Sequence, residues 1–183
     1  MKSLSKYQER ISEPKLDIEK FKQVLFYIIY SCKDKPNVGK TVICKLLYYS
    51  DFNHYELYEE QMTGETYLKF EHGPIPKHLN QIMDEFKKSN WILEKEVQAG
   101  GYPMVKYIPR VKPSLKTLNR REKKVIDDVI HQLSHKSAKD ISEYSHNDVP
   151  WRVTEPNDVI DYELAFYREE PYTVREYDLE DEF

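Results

Sequence analysis

Residues 45–76 read KLLYYSDFNHYELYEEQMTGETYLKFEHGPIP, and this stretch decides the fold. It opens inside a helix with two adjacent apolar stripes, one of Val42, Leu46 and Tyr49, the other of Ile43, Leu47 and Ser50. A helix apolar over that much of its circumference is buried among other helices. Polar residues then come together at Asp51, Asn53, His54 and Glu56. Thr63-Gly64 reads as a turn, Thr66 to Phe70 as a short strand, and Gly73-Pro74-Ile75-Pro76 as a second break. Pro76 is expected to start the next helix, where its missing N–H has no intrahelical partner to lose. The unit is a buried helix, a polar elbow, a short strand and a proline-started helix.

Outward from this centre, residues 1–16 read as an irregular arm ending near Pro14. Asp17 can cap a helix whose apolar positions Ile18, Phe21, Leu25, Ile28 and Cys32 follow the helical period. Lys33 to Asn37 breaks it, with Asn37 expected to cap the central helix. A third amphipathic helix carries Leu79, Ile82, Met83 and Phe86 and fades at Ser89-Asn90. Trp91 to Val97 and Met104 to Ile108 read as two strands of a hairpin around Gln98–Pro103. Asn119 and Glu122 have the spacing of a capping box for a helix with Val125, Ile126, Val129, Ile130 and Leu133. A shorter helix follows Ser137, the segment from Ser145 to Trp151 reads as a loop pinned by Trp151, and Ile160 to Arg168 reads as helical. The expected class is mainly α, in an α+β arrangement: five to six helices with a small β-hairpin and a winged-helix-like order in the middle. The expected boundaries are an arm over 1–16, one domain over 17–168 and an acidic tail over 169–183.

The composition agrees with a single globular domain: 183 residues, 39% hydrophobic and 33% charged. Fifteen tyrosines suit half-buried surfaces, since Tyr buries a large ring and keeps a polar tip. Cys32 and Cys44 lie in apolar helical runs without CxxC spacing, so they read as reduced core residues. The charged N-terminus has no apolar signal core, and the longest apolar run, Val24 to Tyr30, is far too short for a membrane span. These features predict a soluble cytoplasmic protein with no membrane partner.

Catalytic and metal motifs are weak. Gly39-Lys40-Thr41 lacks the earlier glycine of a phosphate loop, Asp34 standing in that place, and it follows a helix rather than a strand. His131 and His135 share a helical face, but Gln132 replaces the general base of a zinc protease and no third ligand is near. Asp51 and His54 could pair as acid and base, yet no nucleophile accompanies them. The reading is of a protein that is not an enzyme, with no catalytic residue, metal or cofactor.

Charge is unevenly distributed. Residues 161–183 hold nine Asp or Glu against Arg168 and Arg175, whereas residues 74–124 hold twelve Lys or Arg against five acids. The basic middle supports a nucleic-acid alternative, in which Lys77, Lys87 and Lys88 of the third helix face the major groove. Lys106 and Arg110 would then flank a wing at Gly100-Gly101. Against it, Asp84 and Glu85 lie within the would-be reading helix and the whole chain carries a net charge of −4.

Three separated motifs carry a family resemblance: KLLYYSDFNHYELY, then MTGETYLKFEHGPIPKHL, then SAKDISEYSHNDVPW. Together they resemble the SocA-like antitoxin family, also called the Panacea domain, over residues 18–165. The matching positions are Lys45, Leu46, Leu47, Tyr48, Asp51, Thr63, Gly64, Tyr67, Gly73, Pro74, Ile75, Pro76, Ser145, His146 and Trp151, with His72 a departure just before Gly-Pro. The resemblance implies a small cytoplasmic antitoxin, of a bacterium or phage, that neutralises a cognate protein toxin by direct stoichiometric binding. It implies no catalytic residue, so the shared positions are expected to define the fold. Candidate partner contacts are His54, Tyr55, His72, Tyr172, Tyr177 and Phe183, the acidic tail being expected to stay solvated and wrap a basic surface of the toxin. The alternatives are a regulator that binds operator DNA and an adaptor that delivers a partner to a protease.

Overall fold

Every residue from Val42 to Glu56 of helix α2 (Lys40–Tyr58) is buried, and the other elements are laid around it. The structure is a computed structural model and describes residues 11–176. In chain order the elements are α1 (Ile18–Ser31), α2, β1 (Tyr67–Phe70), β2 (Gly73–Pro76), α3 (Leu79–Lys88), β3 (Ile92–Ala99) and β4 (Tyr102–Pro109). They continue with α4 (Arg120–Leu133), α5 (Ala138–His146), α6 (Val149–Val153) and a 3-10 turn at Tyr162–Tyr167. The fold is mainly α with two small antiparallel hairpins. The α1, α4 and α5 helices, the β1–β2 hairpin and the 3-10 turn all pack on α2. This leaves α2 with no solvent face, which is why its sequence is apolar on two stripes.

Local chemistry sets most of the helix ends. The Asp17 side chain accepts the Lys20 N–H at the start of α1. Asn119 and Glu122 form a full capping box on α4, and Ser137 caps α5. Asn37, in contrast, does not cap α2: its amide donates to the carbonyls of Ser134 and Lys136, at 2.8 Å each. The exposed carbonyls at the end of α4 need donors, and Asn37 supplies two. Gly39 takes the cap position of α2 instead. A Cβ there would meet Met104 Cγ at 2.4 Å and the Val105 carbonyl at 2.9 Å, so glycine lets β4 approach the start of α2.

Two breaks inferred from proline are regular structure. Gly73-Pro74-Ile75-Pro76 is strand β2, paired with β1 in the register Tyr67 to Pro76 and Phe70 to Gly73. Pro74 and Pro76 are two residues apart and fall on the same side of the strand, and an edge strand tolerates a missing N–H. Pro76 therefore ends a strand rather than starting a helix, and α3 begins after His78. Likewise Val149–Val153 is one helical turn with Pro150 at its start, not a loop. Gly100 and Gly101, with φ of +59° and +87°, close β3 to β4 by a tighter turn than expected.

Two terminal segments are docked on this body. Residues 11–17 pass over the Thr63-Gly64 turn, where Asp17 N–H donates to the Thr63 carbonyl at 2.8 Å. Gly64 has φ +68° and any Cβ would lie 1.8 Å from the Lys15 carbonyl oxygen, so the arm needs a glycine beneath it. At the other end, residues 169–176 were expected to be a solvated tail. Instead the Tyr172 hydroxyl donates to the Tyr144 carbonyl, Thr173 Oγ1 donates to Glu56 and Arg175 pairs with Glu59. The chain between them adds an unforeseen edge: Val159 bridges to Leu68, and Ile160 N–H donates to the Tyr67 carbonyl.

Candidate partner-binding site

The polar elbow of α2 holds the β1–β2 hairpin in place. Asp51 is buried, and its Oδ1 accepts the Thr63 N–H at 2.9 Å. Its Oδ2 accepts the hydroxyls of Thr63 and Tyr67, each at 2.6 Å. Burial pushes the Asp51 pKa up to about 6, against the downward pull of those hydrogen bonds. Glu65, also buried, closes the next turn: its carboxylate accepts the N–H groups of Thr66 and His78 and meets His78 Nδ1 at 2.8 Å. Tyr162 donates to the Glu65 carbonyl at 2.7 Å and stacks on Phe52. Asp51 thus works as an anchor for the turn and strand, not as an acid beside His54. His54 faces away to the Glu60 carbonyl, at 2.9 Å.

A second junction joins α2, β2 and α5. Lys45 is 1% exposed, and its Nζ donates to the Pro74 carbonyl at 3.3 Å. Burial lowers its pKa to about 8. Gly73 has φ +102°, and a Cβ there would lie 2.3 Å from Ser145 Oγ and 2.4 Å from Lys45 Cε. The GPIP strand can sit this close to α2 and α5 only because it begins with glycine. His146, next to Ser145, stacks on Trp151 with ring centroids 4.2 Å apart. Trp151 Nε1 donates to the Phe70 carbonyl at 3.3 Å, and Lys69 Nζ lies 4.2 Å over the Trp151 ring. Burial lowers the His146 pKa, helped by the positive charges of Lys45 and His72 and opposed by a bond to the Glu71 backbone.

On the outer side of this junction the fold exposes large apolar groups. Phe70, Val153 and Val159 are 39%, 56% and 47% exposed, with half-buried Trp151 linked to Phe70 and exposed His72 at the tip of the β1–β2 turn. Phe70, Trp151 and Val159 come from segments that hydrogen-bond side by side along β1. An apolar patch rimmed by polar residues marks an interaction surface. Sequence reasoning named His72 as a partner contact and Trp151 only as a pin of the fold. It missed Val159, which the pairing of residues 157–160 brings to β1, and Val153, whose neighbours Arg152 and Thr154 take the Lys69 ammonium on their carbonyls.

The other expected contacts are placed differently. His54 and Tyr55 are buried, and Tyr55 donates to Glu163, so α2 presents neither to a partner. Tyr172 is half-buried against Tyr144, with ring centroids 4.5 Å apart. Tyr177 and Phe183 lie outside the described residues. Of the basic set, Lys77, Lys88 and Arg110 are exposed. Lys87 pairs with Asp84 and Glu94, and Lys106 donates to the Lys35 carbonyl at 2.6 Å. His131 and His135 are both exposed, and no cluster of three or more metal-ligating side chains occurs among the described residues. No described helix is long and apolar enough to cross a membrane.

What unites these positions is scaffolding: Lys45, Asp51, Thr63, Tyr67 and Gly73 fit the β1–β2 hairpin and its turn against α2, and Trp151 ties α6 to β1 and α5. The family profile described as antitoxin SocA-like, Panacea domain, matches residues 43–152, and the chain belongs to that family. The match covers more than half of the chain, from α2 to α6, and leaves out α1 and the docked C-terminal segment. No curated protein and no solved structure matches the chain.

Proposed function

We propose that this protein is an antitoxin that neutralises a cognate protein toxin by direct stoichiometric binding, without catalysis. The observation that carries this reading is the family match, whose residues 43–152 contain most of α2 and the hairpin that carries Phe70 and His72. We place the toxin contact on that face, around Phe70, His72 and Val153. An interface of about 800 Å² per partner is well within the surface such a chain presents. The test is co-expression with the product of the adjoining reading frame, followed by gel filtration and calorimetry of the purified pair. A one-to-one complex that restores growth is expected. Phe70→Glu combined with Val153→Glu should abolish both while leaving the melting temperature unchanged. Absence of any complex with the wild-type chain would refute direct binding, and full neutralisation by the double variant would refute the chosen face.

The operator-DNA alternative draws less support. Two of its five basic candidates, Lys87 and Lys106, are engaged within the protein, and Glu85 of α3 is held by Lys22 at 2.7 Å. A gel-shift titration at several salt concentrations decides it: counterion release would give a steep salt dependence, and a specific complex near nanomolar affinity would reverse the ranking.

A further inference from the structure

Between the first half of α2, the β1–β2 hairpin and the start of α3 lies a cleft of about 420 Å³. Its walls are largely apolar, with Leu68, Ile75 and Leu79 among them. Its charged lining is of one sign: Lys40, Lys45 and Lys77, with His72 beside them and no Asp or Glu. The Lys40 ammonium donates to the neutral Asn80 amide, and Lys77 is exposed, so neither charge is cancelled locally. Lys45 has one hydrogen-bond partner among the described residues, the Pro74 carbonyl, and no carboxylate within ion-pair distance. A lysine ammonium carries three donors, so a buried one in this setting is under-compensated.

We propose that this cleft binds a carboxylate carried on an apolar body, with Lys45 closing an ion pair at the inner end while Lys40, Lys77 and His72 attract the anion. One buried ammonium matches one negative charge, and the apolar walls take the carbon chain. A phosphate dianion fits less well, because apolar walls would strip its second charge of water without a buried partner. The lowered pKa of Lys45 agrees with a cation that lacks its counter-ion in the free protein. The cleft borders the face placed against the toxin, sharing Phe70 and His72 with it, but ligand binding to the free chain does not rest on that reading.

Calorimetric titration of the full chain with sodium hexanoate, sodium acetate and inorganic phosphate tests it, at pH 8 in two buffers of different ionisation enthalpy. Hexanoate should bind at least about tenfold more tightly than acetate, from the added buried methylenes, and more tightly than phosphate. Binding raises the Lys45 pKa, so the complex should take up to about half a proton at pH 8, near the free value, where an ordinary imidazole such as His72 is already neutral and adds little. Lys45→Met should remove this uptake and weaken hexanoate binding at least about tenfold. Lys77→Glu, at an exposed position, should weaken it several-fold with the melting temperature unchanged, and this arm stands even where K45M fails to fold. Equal binding of hexanoate and acetate, or no proton uptake at pH 8, would overturn the proposal and leave Lys45 as a strut for the hairpin.

Discussion

The Arg168 guanidinium lies 3.2 Å from the Asp148 carboxylate, and both side chains are sealed from solvent. The same guanidinium donates to Asn53 at 2.7 Å, pairs with Glu56 at 3.5 Å and faces the rings of Tyr48, Tyr49 and Phe52. One cation after the 3-10 turn therefore holds two buried acids, one from the last turn of α2 and one at the start of α6. Breaking a buried pair by removing one partner strands the other charge and costs about 3–5 kcal/mol. Arg168→Ala is predicted to be among the most destabilising single changes in the chain, measured by urea unfolding. Asp148→Asn in the same background should recover part of the loss; no recovery would mean that Asp148 is not the stranded charge.

The docked C-terminal segment leads to a second prediction. Truncation after Glu170 removes the Tyr172 contact with Tyr144, the Thr173 bond to Glu56 and the Arg175 pair with Glu59. The melting temperature should fall by several degrees, at about 2–4 °C per kcal/mol for a chain of this size. An unchanged melting temperature would show that these contacts hold nothing in solution.

Asp51 makes stability depend on pH. Its folded pKa of about 6 lies above its ordinary value of 3.8, so the folded state binds the proton more tightly than the unfolded one. This contribution is fully present below about pH 4 and is lost as pH rises through 6, a change on the order of 2–3 kcal/mol. Asp51→Asn should flatten the pH dependence between 4 and 6 relative to wild type. It should also destabilise at pH 7 by about 1–3 kcal/mol, since the amide nitrogen cannot accept the Thr63 and Tyr67 hydroxyls. Parallel slopes for the two proteins would place the titrating group elsewhere.

Gly73→Ala tests the close approach of β2 to α2 and α5. The new methyl would collide with Ser145 Oγ and Lys45 Cε in a backbone conformation that L-residues rarely adopt. Strain of this kind costs about 1–3 kcal/mol. Combining it with Ser145→Gly should recover only the share due to Ser145, leaving the Lys45 contact and the backbone part. Full recovery would show that φ at residue 73 carries no cost.

Trp151 is half-buried, so truncating it should fall short of the 3–5 kcal/mol typical of a core aromatic. About 2 kcal/mol is predicted for Trp151→Ala, and less for Trp151→Phe, which keeps the stacking on His146 and loses only the bond to the Phe70 carbonyl. Thermal unfolding of the two variants measures both losses; a change within a degree for Trp151→Ala would remove this residue from the scaffold.

The local elements could be read from the sequence because their causes are local. Asp17 and Ser137 start helices, Asn119 and Glu122 close a capping box, and the two apolar stripes of α2 require cover on two sides. The family was equally legible, since its motifs are contiguous runs that hold α2, the elbow and the hairpin. Proline misled twice, at Pro76 and Pro150, because its fixed φ and missing N–H suit an edge strand or a first helical turn as well as a break. What the tertiary structure alone decided is where distant charges and apolar groups meet. Arg168 reaches Glu56 and Asp148, the extended segment at residues 157–160 carries Val159 to the edge of β1, and Lys45 ends beneath an apolar cleft rather than in water. Side-chain period and composition carry no record of such long-range pairings, which arise only when separate elements compete to cover one buried helix.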